Sequence, residues 1–283
     1  MENIGLVLEG GGMRAAYTAG VLEAFAENEL YFPYTIGVSA GACMAASYLS
    51  RQRGRNKKVN IDLASDPRYL SWKNWVKHRQ LFGMDFIFDE IPRSLVPFDF
   101  DAFAAGREEL VVGTTDCETG QAVYHYKSKP GFDVLPALRA SSSLPLVAPI
   151  VEYGGRLLMD GGIADPIPLR RAEGDGCARN VLVLTRNAGY RKKSTRFPWL
   201  LRRMYGKYPE FVNTMLGRHE VYNDTLAYIE RREQEGAAFV IRPQAKLEVG
   251  RMETNPVKLQ ALYDQGHGDA MRLLPALRDW LTG

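Results

Sequence analysis

Gly37-Val38-Ser39-Ala40-Gly41 has the G-x-S-x-G spacing in which a sharp bend turns a serine hydroxyl outward. The chemistry such a serine could do is acyl transfer. Its hydroxyl needs a neighbouring base to take the proton, and the oxyanion that forms needs preorganised N–H donors. Two other stretches carry residue types suited to those tasks. Asp160 ends the apolar run RLLMD and is followed by Gly161 and Gly162, which let a carboxylate approach other backbone closely. Gly10-Gly11-Gly12-Met13-Arg14 follows a second apolar run and could turn several N–H groups toward one point, with Arg14 adding positive charge.

Each stretch also has an ordinary reading. Ser39 could cap a plain strand-to-helix turn, Asp160 could be a turn aspartate before glycines, and the glycine run could be a simple turn. A phosphate cradle fits the glycines poorly. No Lys-Ser/Thr pair follows at P-loop spacing, and Ala15 breaks the dinucleotide pattern. A histidine base has four candidates. His78 lies in a basic helical stretch, His125 in a strand, His219 on a charged helix and His267 near the last helix. His267 is the best placed in chain order for a Ser–Asp–His triad, but none sits in a catalytic-looking loop. Asp165, before Pro166, reads as a brace for its turn.

The elements that must position these residues follow from apolar periodicity. Ile4–Leu8 and Tyr34–Val38 are short apolar runs, expected as buried parallel strands. Residues 15–25 and 40–49 read as helices, so the chain opens strand–helix–strand–helix, an α/β beginning. Residues 109–115 and 122–126 are expected as a hairpin, 134–140 as a helix, and 180–185 and 239–242 as further strands. Helices are expected over about 197–235 and 254–282. Residues 51–58 (RQRGRNKK) carry five basic residues and read as a solvated loop. Residues 61–104 mix aromatic and charged residues, expected as core packing or as the lip of an acyl site.

Composition excludes several classes. The chain has 283 residues, 46% hydrophobic and 24% charged, with a net charge of +3 that argues against a nucleic-acid partner. Cys43, Cys117 and Cys177 match no metal or redox spacing and suit a reducing, cytoplasmic setting; Cys43 reads as core. Neither a leader peptide nor a spanning helix is expected, so any membrane contact would be peripheral. No calcium loop is present.

In combination and in this order, the glycine loop, the serine elbow and Asp160-Gly161-Gly162 resemble the signature blocks of bacterial patatin-like phospholipases. ASSSLPLVAP (140–149) and DGGIADPIP (160–168) strengthen the resemblance, which covers about residues 4–170. It implies a three-layer α/β/α fold with a mostly parallel central sheet and a helical C-terminal portion. Residues 1–170 would form the catalytic core, with 171–283 adding strands and a helical extension packed as one unit.

The implied activity is hydrolysis of lipid acyl esters through a Ser39 acyl-enzyme, with Asp160 as base and no histidine, metal or cofactor. Gly10, Gly11, Gly12, Met13 and Arg14 would form the oxyanion hole, supported by Gly37, Gly41, Gly161 and Gly162. The implied partner is a lipid or acyl-ester substrate, and no motif addresses oligomeric state. One departure stands out: Ala15 follows Arg14 where the family usually has glycine. The competing reading is a catalytically silent, lipid- or protein-binding member.

Overall fold

The computed structural model describes residues 3–78, 80–245 and 248–283, the side chains of Lys77 and His78 excepted. The opening forms with the expected bounds: β1 (Ile4–Leu8), a 3-10 turn over Gly12–Ala15, α1 (Ala16–Glu27), β2 (Tyr34–Val38) and α2 (Ala40–Leu49). Shorter pieces follow: α3 (Arg55–Lys57), α4 (Trp72–His78), a π-helical segment at Phe86–Leu95 and α5 (Phe100–Ala105). β3 (Glu109–Asp116) and β4 (Ala122–Tyr126) make the hairpin, followed by α6 (Val134–Ser141). β5 (Val151–Tyr153) and β6 (Arg156–Asp160) form a second hairpin. The chain ends with α7 (Leu169–Gly174), β7 (Arg179–Val183), α8 (Pro198–Tyr205), α9 (Pro209–Gln234), β8 (Ala238–Ile241) and α10 (Pro256–Thr282).

The strands make one mixed sheet in the order β5-β6-β3-β2-β1-β7-β8, with β4 on the other edge of β3. β3, β2, β1, β7 and β8 run parallel. Parallel strands are buried on both faces, so β1 reads IGLVL without polar alternation. Leu6 and Leu8 pack on the face that carries α1, α2, α6 and α10. Val7 points the other way, toward α7 and α9. The result is the expected three-layer α/β/α arrangement.

α1 is apolar almost all round because the sheet covers one side and α10 another. Tyr17 OH on α1 donates to Asp269 Oδ2 on α10 at 2.9 Å. Phe25 is fully buried against Phe32, a burial worth about 1.5–3 kcal/mol.

Three expectations need adjustment. Ala15, the departure from the family pattern, has φ −67° and ψ −2°. Its position is already helical, so a methyl group costs nothing there. The basic run 51–58 is not simply a solvated loop. Arg51 pairs with Glu108 and lies over the Tyr31 ring, and Arg55 turns inward to the Ser47 hydroxyl and the Val96 carbonyl. Cys43 is half-buried at a cavity wall, 3.4 Å from the Ser142 hydroxyl, rather than sealed in core. Among the described residues, no helix is long and apolar enough to cross a membrane.

Candidate active site

The site lies at the C-terminal ends of β1, β2 and β7, where open α/β sheets bind ligands. Its centre is set by pairing along one edge of β3. β2 occupies that edge as far as Val38, which pairs Gly113. β4 fills the opposite edge. β6 therefore takes over the first edge where β2 ends, and Asp160 pairs Thr114. Ser39 leaves the sheet where Asp160 arrives.

Ser39 is 7% exposed and has φ 55° and ψ −133°. That strained backbone costs about 1–3 kcal/mol and persists only where its surroundings fix it. Ser141 supplies one brace: its hydroxyl accepts from the Ser39 N–H at 2.7 Å and donates to Gly113 O at 2.6 Å. Gly37 and Gly41 let α2 begin hard against the strands. A Cβ on Gly41 would lie 2.7 Å from the Leu8 and Glu9 carbonyl oxygens, and one on Gly37 would lie 2.8 Å from Ala42 N.

Asp160 is 1% exposed. Its Oδ1 accepts from the Gly162 N–H at 2.8 Å, while Oδ2 is buried without a full hydrogen bond among the described residues. Burial pushes the carboxyl above the ordinary carboxylate value. The positive charge of Arg218 opposes this most strongly, followed by the nearby Ser39 hydroxyl and by Arg251. Gly161 lies so close to Gly113 O that a side chain there would collide with it. Arg218 donates through Nε to Gly162 O, closing the turn from the α9 side.

The glycine loop lies beside this pair. A Cβ on Gly10 would sit 3.0 Å from the Ser39 Cβ, and one on Gly12, whose φ is +57°, 2.6 Å from Arg251 O. The N–H groups of buried Gly11 and half-buried Gly10 and Gly12 have no acceptor among the described residues, although such groups are nearly always paired when buried. The Met13 N–H differs: it donates to Arg251 O at 3.1 Å and is therefore spent, against its expected place in the oxyanion hole. The Arg14 side chain is 3% exposed, with Nε unpartnered. Glu9 anchors the loop by accepting from Thr185 N–H at 2.6 Å and Tyr222 OH at 2.8 Å.

Two cavities meet at Ser39. A polar one is lined by Gly10, Gly11, Gly12, Ser39, Asp160 and Arg218, among others. A largely apolar one touches Gly12 and Ser39 and runs along α2 past Cys43 and Ala46 to Phe88 and Ile91. The segment 61–104 thus contributes both core and cavity wall.

Three of the histidines lie elsewhere. His267 Nε2 is 2.7 Å from Glu27 Oε2 at the surface. His125 lies against Thr114 Oγ1 at 2.9 Å and burial pushes it down to about 4. His219 Nδ1 lies 3.0 Å from Leu216 O. The side chain of His78 falls outside the described part. Asp165 accepts from Tyr124 OH at 2.6 Å.

Ser141, Glu9, Tyr222, Arg218 and Arg251 escaped the sequence reading. An acid between a buried strand and a glycine run could have marked Glu9. Ser141 lies in the ASSSLPLVAP stretch that strengthened the resemblance but carried no role there, and Tyr222, Arg218 and Arg251 sit in a helix and a loop with no local signal.

The patatin-like phospholipase profile matches residues 6–173, and a domain of unknown function (DUF6363) matches 208–282. The chain is 29% identical over 188 residues to the uncharacterized protein YjjU of Escherichia coli (strain K12), covering 64% of this chain and 52% of that one. It is 28% identical over 181 residues to lysophospholipase NTE1 of Candida glabrata, covering 62% of this chain and 10% of that one. It is 24% identical over 181 residues to probable lipid hydrolase 463L of Invertebrate iridescent virus 6, covering 58% and 61%. The alignment spans about half the length of the first of these relatives. VipD from Legionella pneumophila shares the fold, with a TM-score of 0.58 and 13% identity over 98% of this chain and 67% of that one.

Proposed function

Because this chain belongs to the patatin-like phospholipase family, we propose that it hydrolyses fatty-acyl esters of lipids with Ser39 and Asp160 as a catalytic dyad. The observation that carries this reading is the arrival of Asp160 on β3 one residue beyond the partner of Val38. It sets a buried, half-satisfied carboxylate beside a strained serine. Relatives named as a lysophospholipase and a probable lipid hydrolase support the lipid class.

In this mechanism the Ser39 hydroxyl attacks the acyl carbonyl and its proton passes to Asp160. Burial favours that transfer by raising the proton affinity of the carboxyl. The unpartnered N–H groups of Gly10, Gly11 and Gly12 take the oxyanion, each such donor being worth about 3 kcal/mol. The bond to the alcohol breaks as Asp160 returns the proton to the leaving oxygen. Water then attacks the acyl-enzyme and gives its proton to Asp160, which returns it to the Ser39 oxygen as the acyl bond breaks, releasing the fatty acid and restoring both residues. The apolar cavity along α2 receives the acyl chain.

Lipid access would be peripheral. Trp72 and Val76 on α4 are 75% and 82% exposed, and Phe197 and Trp199 at the start of α8 are 58% and 61% exposed. Both segments flank the loop after α6. Leu81 N–H donates to Val147 O, and Tyr205 OH accepts from Leu146 N–H.

The test is an ester and lysophospholipid panel with wild type, Ser39→Ala and Asp160→Asn. Wild type should turn over lipid esters, and both variants should fall to background. A Ser39→Ala protein as active as wild type would refute the dyad. Lipid binding with no turnover by wild type would favour the silent-binder reading.

A further inference from the structure

Arg14, Arg186, Lys192, Arg218 and Arg251 come from four parts of the chain, Arg186 and Lys192 sharing the connection between β7 and α8, and gather near the dyad. Burial and the neighbouring cations lower the proton affinity of three of them, Arg14, Arg218 and Lys192. Burial first, then Arg186 and Arg251, lowers Arg14 to about 10. Burial and then Arg251 lower Arg218 to about 10. Burial, then Arg218, Arg251 and Arg14, lower Lys192 to about 7.

None of the five closes an ion pair with a carboxylate among the described residues. Two acids face the cluster without forming an ion pair with it: the charge of Glu9 raises the proton affinity of Arg14, Arg218 and Lys192, and the charge of Asp160 raises that of Arg218. Glu9 is held by Thr185 and Tyr222, and Asp160 serves the dyad. Buried cations are ordinarily paired, because desolvation and mutual repulsion otherwise oppose folding. A cluster left unpaired inside a cleft has the charge pattern of an anion site.

The cleft itself is present. Lys192, Lys193, Thr195, Arg218, His219 and Arg251 line a cavity of about 350 Å³ whose described lining contains no carboxylate. Arg218, Arg251 and Leu144 also line the polar cavity that holds Ser39 and Asp160, so the two share a wall. The apolar cavity meets that polar cavity at Gly12, Ser39 and Leu144. Leu144 lies at the junction of all three cavities, while the cations Arg218 and Arg251 line only the polar and the cationic ones.

We propose that this cleft binds a phosphate-type oxyanion on the alcohol side of the ester, selecting substrates with a terminal phosphomonoester over zwitterionic or neutral heads. The placement on the alcohol side rests on the hydrolase reading above; the anion site does not. Guanidinium forks match phosphate oxygens two at a time, and a phosphomonoester carries about −1.5 to −2 charges at neutral pH. The charged side chains a quaternary ammonium would meet along this cleft are all cationic, set among apolar ones such as Ile163, Leu201 and Met215.

Calorimetry on the Ser39→Ala protein separates binding from turnover. Glycerol 3-phosphate should bind at least tenfold more tightly than phosphocholine or inorganic phosphate, and glycerol should not bind. Lys192→Gln and Arg251→Gln should each weaken glycerol 3-phosphate at least tenfold, with Lys192→Arg restoring most of it. With wild type, matched monoacyl lipids should rank glycerol 3-phosphate head above phosphocholine head above glycerol in kcat/KM. Glycerol binding as well as glycerol 3-phosphate, or unchanged affinity in both Gln variants, overturns the site. Inorganic phosphate binding as tightly as glycerol 3-phosphate, or equal turnover of the three lipids, overturns the head-group assignment. Anion binding in a protein that turns over no ester would keep the site and remove the hydrolase reading.

Discussion

Gly10 and Ser39 lie so close that a methyl group on Gly10 would sit 3.0 Å from the Ser39 Cβ and equally near Val38 O. Glycine is therefore required by contact, beyond any need for backbone freedom. Gly10→Ala should push the loop off the serine and lower kcat by about 10²-fold, the scale of losing one oxyanion donor. Circular dichroism and thermal melting should show a retained fold. Full activity with an intact fold would remove Gly10 from the site.

The carboxyl of Asp160 is raised by burial and lowered chiefly by Arg218. A base works only when ionised, so activity is present above its pKa and falls as pH drops through it. The acid limb of kcat/KM on a neutral ester should therefore lie above the ordinary carboxylate value of 3.8. Arg218→Gln removes the largest opposing charge and should move that limb to higher pH. A limb at or below the ordinary value, or one unmoved by Arg218→Gln, would argue against Asp160 as the base.

Cys43 is one helical turn beyond Ser39 on α2 and forms part of the apolar cavity wall. Cys43→Phe should obstruct the cavity near its inner end. Palmitoyl-ester kcat/KM should fall about tenfold relative to the butyryl ester, with a stability loss of about 1–3 kcal/mol if the ring overpacks. An unchanged chain-length preference would place the acyl chain elsewhere.

Trp72 and Trp199 expose large rings on two segments flanking the loop after α6. If these rings enter a lipid surface, Trp72→Ser and Trp199→Ser should each lower the ratio of vesicle to monomeric-ester hydrolysis by about tenfold, the scale of burying one large apolar side chain. Vesicle co-sedimentation should fall in parallel. A constant ratio in both variants would remove the proposed lipid contact.

Much of the framework was legible because it is local. β1, β2 and α2 form at Ile4–Leu8, Tyr34–Val38 and Ala40–Leu49 as their apolar periods predict. Each is buried by a pattern carried within a few residues. The elbow needs only a strand, small residues and a helix in succession. The basic run 51–58 misled because charge suggests solvent, while Arg55 lays its stem along the cavity wall and finds Ser47 and Val96.

The sequence alone therefore determined the elements, the family and the three stretches that carry chemical potential. Tertiary structure decided which of their groups meet. Asp160 neighbours Ser39 because β6 takes the edge of β3 where β2 stops, a pairing no local window encodes. Met13 spends its N–H on Arg251 because a distant loop crosses the glycines. The cation cluster is likewise invisible along the chain: apart from Arg14 in the glycine loop, each of its side chains alone reads as a solvated surface charge, and only folding brings them together. Electrostatic interaction depends on distance through space, and sequence separation does not measure that distance.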